Sequence, residues 1–399
     1  MFRVNSIEQF YVIIGVFFEK ILPLIISFVF IHKMSETQYA LWILFFHICT
    51  MSISSIDSPV NIFFNKTFYD RDDKRSIPII EFRSIVSILI ITFLVSLFYS
   101  NSFITSALVL LMVLTSITTM SIFNSFRFRA KNFTYGIRSF VRFFIFLLIM
   151  ISVTYFRELK LNDILISYSI SNIVSVIDCF NLLLFKWKTI TFFSEFINLS
   201  LYGLLTSLLS GIEKIAMGTF HSNLLDLAIV GYAIALASSP SLLTESFKKY
   251  LSPYFFKDFN EIGFYSKDSI KKTFQGLIVL TIAQLIIPIF FYLILEKLSL
   301  LKESLIIENF LVLVLGFSII MSFYNAYHFI NPYLFYKNQS NKLSMILCFS
   351  SVLFLLILFF PIPSANIFVK LILAKAVSVF SLVFLTYKLT ISGFRKSIH

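Results

Sequence analysis

The chain has 399 residues, of which 58% are hydrophobic and only 14% charged, and its mean hydropathy is +0.88. That balance leaves too little polar surface to cover a soluble domain and identifies a polytopic membrane protein. The formal net charge of +12 would suit a nucleic-acid partner only if the basic residues were gathered in one patch, and their positions show otherwise.

Apolar runs long enough to span a bilayer, about 20 residues each, fall at 10–31, 39–64, 81–100, 104–124, 139–156, 163–185, 197–219, 227–247, 273–296, 306–335, 343–360 and 366–387. The sequence therefore predicts an all-α integral membrane fold of about twelve helices. No small-residue cleavage site follows the first apolar run, so it is expected to be retained as a helix. Odd-numbered connections such as HKMSETQ (32–38) and PIPSA (361–365) carry almost no basic charge. Even-numbered ones are basic, as in NKTFYDRDDKR (65–75), SFRFRAKNFTYGIR (125–138) and the long segment 248–272. Of the 33 Lys and Arg, 24 fall on one face, 5 on the other and 4 within spans. The positive-inside rule then places both termini in the cytoplasm. The charge excess is topological, and no nucleic acid is implied.

No connection is long enough to hold a soluble catalytic domain. The three cysteines, Cys49, Cys179 and Cys348, lie in separate apolar runs with no metal or redox spacing, and the five histidines show no ligand pattern. No phosphate-binding glycine loop and no Ser/His/Asp set is present. The expectation is a protein that is not an enzyme, with no metal or cofactor beyond a coupling ion, H+ or Na+.

An internal repeat is visible. FFEKIL (17–22) returns as GIEKIA (211–216), an offset of 194; Tyr39-Ala40 returns as Tyr232-Ala233, an offset of 193; and IFFNKTFYD (62–70) aligns loosely with YFFKDFN (254–260), an offset of 192. Two six-helix lobes, 1–196 and 197–399, are expected, related by an axis along the membrane normal.

Charges inside spans are costly, about 2.5 to 3.5 kcal/mol for a central Lys, Arg or Asp, so each marks a partner or a task. Adjacent residues on a helix point about 100° apart, so Glu19 and Lys20 cannot satisfy one another, nor can Glu213 and Lys214. Cross pairing between lobes, Glu19 with Lys214 and Glu213 with Lys20, is one reading of the duplicated pair. The other is a cationic lumen of Lys20, Lys214 and Lys375 that attracts a diphosphate, with Glu19 and Glu213 as coupling carboxylates. Asp57, Arg142, Asp178 and Glu245 fall near cytoplasmic helix ends, where interfacial, capping or cytoplasmic-vestibule roles are open. Pro23 removes the amide that would bond the Glu19 carbonyl, so the first helix is expected to hinge beside the charged pair.

SFVFIHKMSETQYALWIL (27–44), a first helix, polar turn and Tyr-led second helix, resembles the start of polysaccharide flippases of the multidrug/oligosaccharidyl-lipid/polysaccharide (MOP) exporter superfamily. The stretch 210–259 resembles their seventh and eighth helices, with Glu213-Lys214 where that family has Asp-Arg, and RFRAKNFTYGIRSFVR (127–142) resembles their loop between helices four and five. The resemblance implies a MATE-like architecture and a multi-pass protein of the bacterial inner membrane that moves undecaprenyl-diphosphate-linked O-antigen or related repeat units by alternating access. It also implies membrane lipid, a polyprenyl-diphosphate-linked oligosaccharide and polysaccharide assembly proteins as partners. Rival readings are a drug or cation exporter of the same superfamily and, from another class, a membrane-embedded polysaccharide polymerase or acyltransferase.

Overall fold

The computed structural model describes residues 6–69, 80–128, 131–182, 185–186, 193–220, 223–240, 261–298, 300–337, 339–361 and 366–398, together with scattered positions between 243 and 259. The described residues form helices α1 (Ser6–Ile25), α2 (Glu36–Tyr69), α3 (Phe82–Ser100), α4 (Phe103–Phe128), α5 (Asn132–Phe156), α6 (Leu161–Val176), α7 (Phe193–Ser210), α8 (Ile212–Phe220), α9 (Leu224–Ala237), α10 (Lys267–Lys297), α11 (Phe310–Tyr336), α12 (Ser340–Phe359) and α13 (Ile367–Ile398). The only described strands are a two-residue parallel pair, Ile80–Glu81 with Phe185–Lys186.

Each predicted span has a helical counterpart, and the departures have local causes. The span at 197–219 is two helices, because the chain turns at Gly211 between α7 and α8. That at 227–247 stops at Ala237, where Ser238 donates back to the Ile234 carbonyl and Pro240, which cannot supply an amide, follows. The basic segment 125–138 is helical for most of its length: α4 runs on to Phe128 and α5 begins at Asn132. Eight of the described helical segments are long and apolar enough to cross a bilayer, and shorter apolar ones lie at Ile85–Ser100, Ile197–Ser210 and Leu224–Ala237. This is a multi-pass membrane protein, with side chains such as Phe98, Phe274 and Phe384 exposed on the helices' outer faces.

The chain divides into two compact units, Met1–Phe64 with Arg75–Leu204, and Asn65–Lys74 with Leu205–His399. In the first, α1 packs on α5, α5 on α6, α4 on α6 and α3 on α4. In the second, α12 packs on α13, α11 on α13, α10 on α11 and α9 on α11. Counted in spans, the neighbour relations five–six, four–six and three–four recur as eleven–twelve, ten–twelve and nine–ten. Three neighbour relations thus recur between the two units, while the pairing of α1 with α5 and that of α9 with α11 do not.

Lipid offers no hydrophobic drive for helices to associate, so the interfaces rest on close packing and on short polar side chains. Between α4 and α6, Asn172, fully buried, donates to Ser116 Oγ at 2.9 Å and Thr115 Oγ1 at 3.3 Å, and Thr119 donates to the Asn172 carbonyl at 3.1 Å. Between α12 and α13, Ser378 donates to the Ser350 carbonyl at 2.7 Å. Gln284 of α10 donates to the Ala237 carbonyl at the end of α9, satisfying one of the carbonyls that a helix end leaves over.

Glycine is scarce, 10 residues in 399, and at Gly203 it lets two backbones meet. At Gly203 of α7 a Cβ would run into the Ser54 carbonyl of α2, with Ser58 Oγ 2.7 Å away. Because the obstacle is main chain, Gly203→Val is expected to separate α7 from α2 at a cost of about 1–3 kcal/mol. Thermal unfolding of the detergent-purified protein checks this; an unchanged midpoint would show that the interface yields freely.

Candidate functional site

In the first unit the site is built on the face of α1 that carries Tyr11, Gly15 and Glu19, four residues apart and therefore stacked one above another. A Cβ at Gly15 would overlap the ring of Tyr135, so the glycine lets that ring lie flat against α1. One turn further along, the Tyr135 hydroxyl donates to Glu19 Oε2 at 2.8 Å. Tyr135 is 1% exposed. On α5 itself, Gly136 allows the Tyr11 carbonyl to approach, 3.0 Å from where a Cβ would stand.

Arg142 shares this region. The sequence puts it near the cytoplasmic end of a span starting at 139, but α5 begins at Asn132, so Arg142 sits ten residues, roughly 15 Å of helix, inside. The polar run NFTYGIR reads as loop and conceals that depth. Arg142 is 7% exposed, its guanidinium carbon lies 5.9 Å from the centre of the Tyr168 ring, and Glu19 acts on it electrostatically. Its Nε has no hydrogen-bond partner among the described residues. Lys20, the other half of the α1 pair, lies on an exposed face of the helix.

Pro23 is inside α1, as expected. Beyond it the helix changes character, to a π turn at Ile26–Phe30 and a 3-10 turn at Ile31–Lys33, and the Ser27 hydroxyl donates to the Pro23 carbonyl at 3.2 Å. A proline that removes a ladder bond, followed by one wider and one tighter turn, makes this half of the helix the place where it can bend.

The remaining acidic candidates of this unit stand apart from Glu19. Asp57, half-buried on α2, accepts a 2.9 Å hydrogen bond from Asn124 Nδ2 of α4. Asp178, in the 3-10 turn Ile177–Leu182 beyond α6, takes a two-pronged bond from Arg138 at 2.5 and 2.7 Å. That bond holds its carboxyl well below the usual carboxylate range, but the Asp178 side chain is 61% exposed and the pair adds little to stability. Glu245 lies outside the described residues.

In the second unit, the turn at Gly211 leaves carbonyls at the end of α7 without helical partners and starts α8 with Glu213 in its first turn, where the helix dipole favours a negative charge. Lys375, from the interior of α13, meets both: its ammonium donates to the Leu209 carbonyl, and to Glu213 Oε2 at 2.6 Å. Glu213 is fully buried and the Lys375 side chain 2% exposed. Glu213, for which a lysine of the other half was one expected partner, is held by one of its own unit. Lys375, grouped by sequence with the lumen cations, is that partner. Glu213 Oε1 has no hydrogen-bond partner among the described residues. Lys214, half-buried, is acted on by the charges of both neighbours but makes no side-chain hydrogen bond or ion pair among the described residues.

Sequence reasoning missed Tyr135 as the partner of Glu19 and underrated Arg142. A glycine one turn before an intramembrane glutamate, in so glycine-poor a chain, is the signal that could have pointed to a ring packed there. Among the described residues no three His, Cys, Asp or Glu side chains gather as a metal-ligating group.

No protein-family model matches the chain, nor does any curated protein. Its fold does match solved structures. The Vibrio cholerae MATE transporter VcmN in its bent form is 12% identical with a TM-score of 0.60, covering 97% of this chain and 96% of that one. The MATE multidrug transporter DinF-BH is 12% identical with a TM-score of 0.62 over 97% and 96%. A MOP superfamily transporter from Pyrococcus furiosus, described as having a binding pocket of reverse polarity, is 9% identical with a TM-score of 0.55 over 96% and 94%. The chain has the fold of MATE transporters of the MOP superfamily, proteins that are transporters and not enzymes.

A buried ion pair is fragile to the loss of one member and tolerant of the loss of both. Glu213→Leu alone, or Lys375→Met alone in sodium-free buffer, is expected to destabilise the protein by about 3–5 kcal/mol, and the double variant to regain most of the loss. Unfolding midpoints of the four proteins in choline salts check the cycle, and additive effects would mean that the two side chains are not coupled.

Proposed function

We propose that the chain is a flippase that moves a polyprenyl-diphosphate-linked oligosaccharide, of the O-antigen or a related class, across the bacterial inner membrane by alternating access, with an ion gradient as its energy source. The observation that carries this reading is the sign of the charge left over within the membrane. Glu213 is already matched by Lys375, so Lys214 beside it is, among the described residues, a cation with no carboxylate of its own. In the first unit Glu19 is engaged by Tyr135 and lies within the field of Arg142. A diphosphate entering such surroundings replaces lost hydration with charge-assisted contacts, whereas an organic cation meets repulsion.

A drug or cation exporter is the second reading, favoured by the matched structures, which include multidrug transporters. Against it stands the same charge balance. The P. furiosus transporter, whose reversed pocket polarity is taken to suggest a different function, supports the idea that this fold accommodates cargo of either sign.

Lys214→Ala is expected to abolish translocation while folded protein remains in the membrane, and Lys214→Arg to retain part of it, because the guanidinium keeps the charge. Cells lacking other flippases would be scored for lipid-linked repeat units reaching the outer leaflet, alongside resistance to cationic dyes. Unimpaired delivery by the alanine variant overturns the role of Lys214. Dye resistance conferred by the wild-type chain, without delivery, turns the assignment to the exporter.

A further inference from the structure

The surroundings of Lys375 are those of a monovalent-cation site. A carboxylate oxygen and a main-chain carbonyl from a broken helix converge on one positive group, and both side chains of the pair are excluded from solvent. Unwound carbonyls and half-helix C-terminal ends are what membrane transporters use to coordinate Na+. The oxygen supply exceeds what the ammonium takes up, since Glu213 Oε1 is buried and has no hydrogen-bond partner among the described residues. A lysine ammonium is a compact point charge on a flexible stem, and so can occupy the position of an alkali ion while remaining attached to the chain.

We infer that Lys375 is a tethered cation seated in a sodium-type site formed by Leu209 and Glu213, and that removing its ammonium uncovers a site that binds free Na+. The consequence is that Glu213 does not exchange its cation with the solvent while Lys375 is in place: the second unit carries a permanent counter-ion where a coupled transporter would carry a mobile one. The charge arithmetic supports this. Among the described residues the cluster around Glu213, with Lys375 and Lys214 both present, already holds one positive charge in excess, and a third cation is excluded. With Lys375 neutral, Glu213 and Lys214 balance, and the vacated oxygen ligands accept an ion without creating more than the original excess. The inference holds whatever cargo the protein carries, and its test measures stability rather than transport.

The experiment compares wild type, Lys375→Met and the double variant Glu213→Gln/Lys375→Met, each purified in detergent, by thermal unfolding in NaCl, methylammonium chloride or choline chloride at equal ionic strength. Wild type is expected to be indifferent to the choice. Lys375→Met is expected to melt lower in choline and to rise with sodium concentration in the logarithmic manner of a ligand that binds only the folded state. The double variant, which lacks the carboxylate, is expected to lose the sodium response. Lys375→Ala, which leaves more room, is expected to respond to methylammonium as well. A wild type stabilised by sodium to the same extent, or a Lys375→Met protein indifferent to sodium because Lys214 moves in to refill the site, overturns the inference. So does a failure of both single variants to fold in sodium and in methylammonium, since a site able to take a free cation would have restored the fold.

Discussion

Everything in this molecule that is not hydrocarbon packing turns on one constraint, that a carboxylate inside a bilayer must be answered from within the protein. The chain carries the same glutamate twice, at Glu19 and Glu213, in corresponding segments of two repeats. The answers differ. In the first unit the reply comes from the fifth span, as a tyrosine hydroxyl with a guanidinium in the background. In the second it comes from the twelfth, as a lysine ammonium in direct contact. A hydroxyl leaves the carboxylate's charge in place and only stabilises it; an ammonium cancels it. The two glutamates, alike in their sequence neighbours, thus sit in unlike electrostatic surroundings.

Backbone breaks accompany both glutamates. Pro23 lies four residues after Glu19, and Gly211 two residues before Glu213. Each break releases main-chain carbonyls at the depth where the charge is found, and each unit puts them to different use. Beyond Pro23 the helix widens into a π turn and then tightens into a 3-10 turn, and one carbonyl is taken up by the Ser27 hydroxyl four residues on, so the local bonds are internal to this helical segment and can be remade as it bends. At Gly211 the Leu209 carbonyl is taken by Lys375 from a helix remote in sequence, which ties the break to α13. By this contrast the first helix is the more deformable of the two.

Much of the fold is legible in the sequence, because hydropathy and span length report directly on a bilayer of fixed thickness. Every predicted span has its helix, and the departures fall at Gly211 and Pro240, residues whose backbone chemistry is itself readable. The site is legible only by half. An intramembrane glutamate announces that it needs a partner, but the partner's identity depends on which helices pack, and neither Tyr135, 116 residues from Glu19, nor Lys375, 162 residues from Glu213, is singled out by any local pattern. The place of Arg142 along its helix is obscured for a different reason. The residues ahead of it in α5 are polar and basic, and a positive-inside reading sends such a run to a cytoplasmic loop, although the helix continues through it to Asn132.

The proposed sign of the cargo rests on where the surplus charge lies rather than on how much there is. Most of the basic residues fall in the connections between spans and at their ends, where charge is screened within about 8–10 Å by salt. Lys214 is different: it lies within a span, and among the described residues the carboxylate that acts on it, Glu213, is committed to another cation. In a medium of low dielectric that uncompensated charge costs free energy whenever no anion is present. Under the proposed function that cost is recovered when an anionic group passes beside Lys214, and a diphosphate, carrying its charge at the head of an apolar chain that stays in the bilayer, would answer that need without bringing the cargo's lipid out of its solvent.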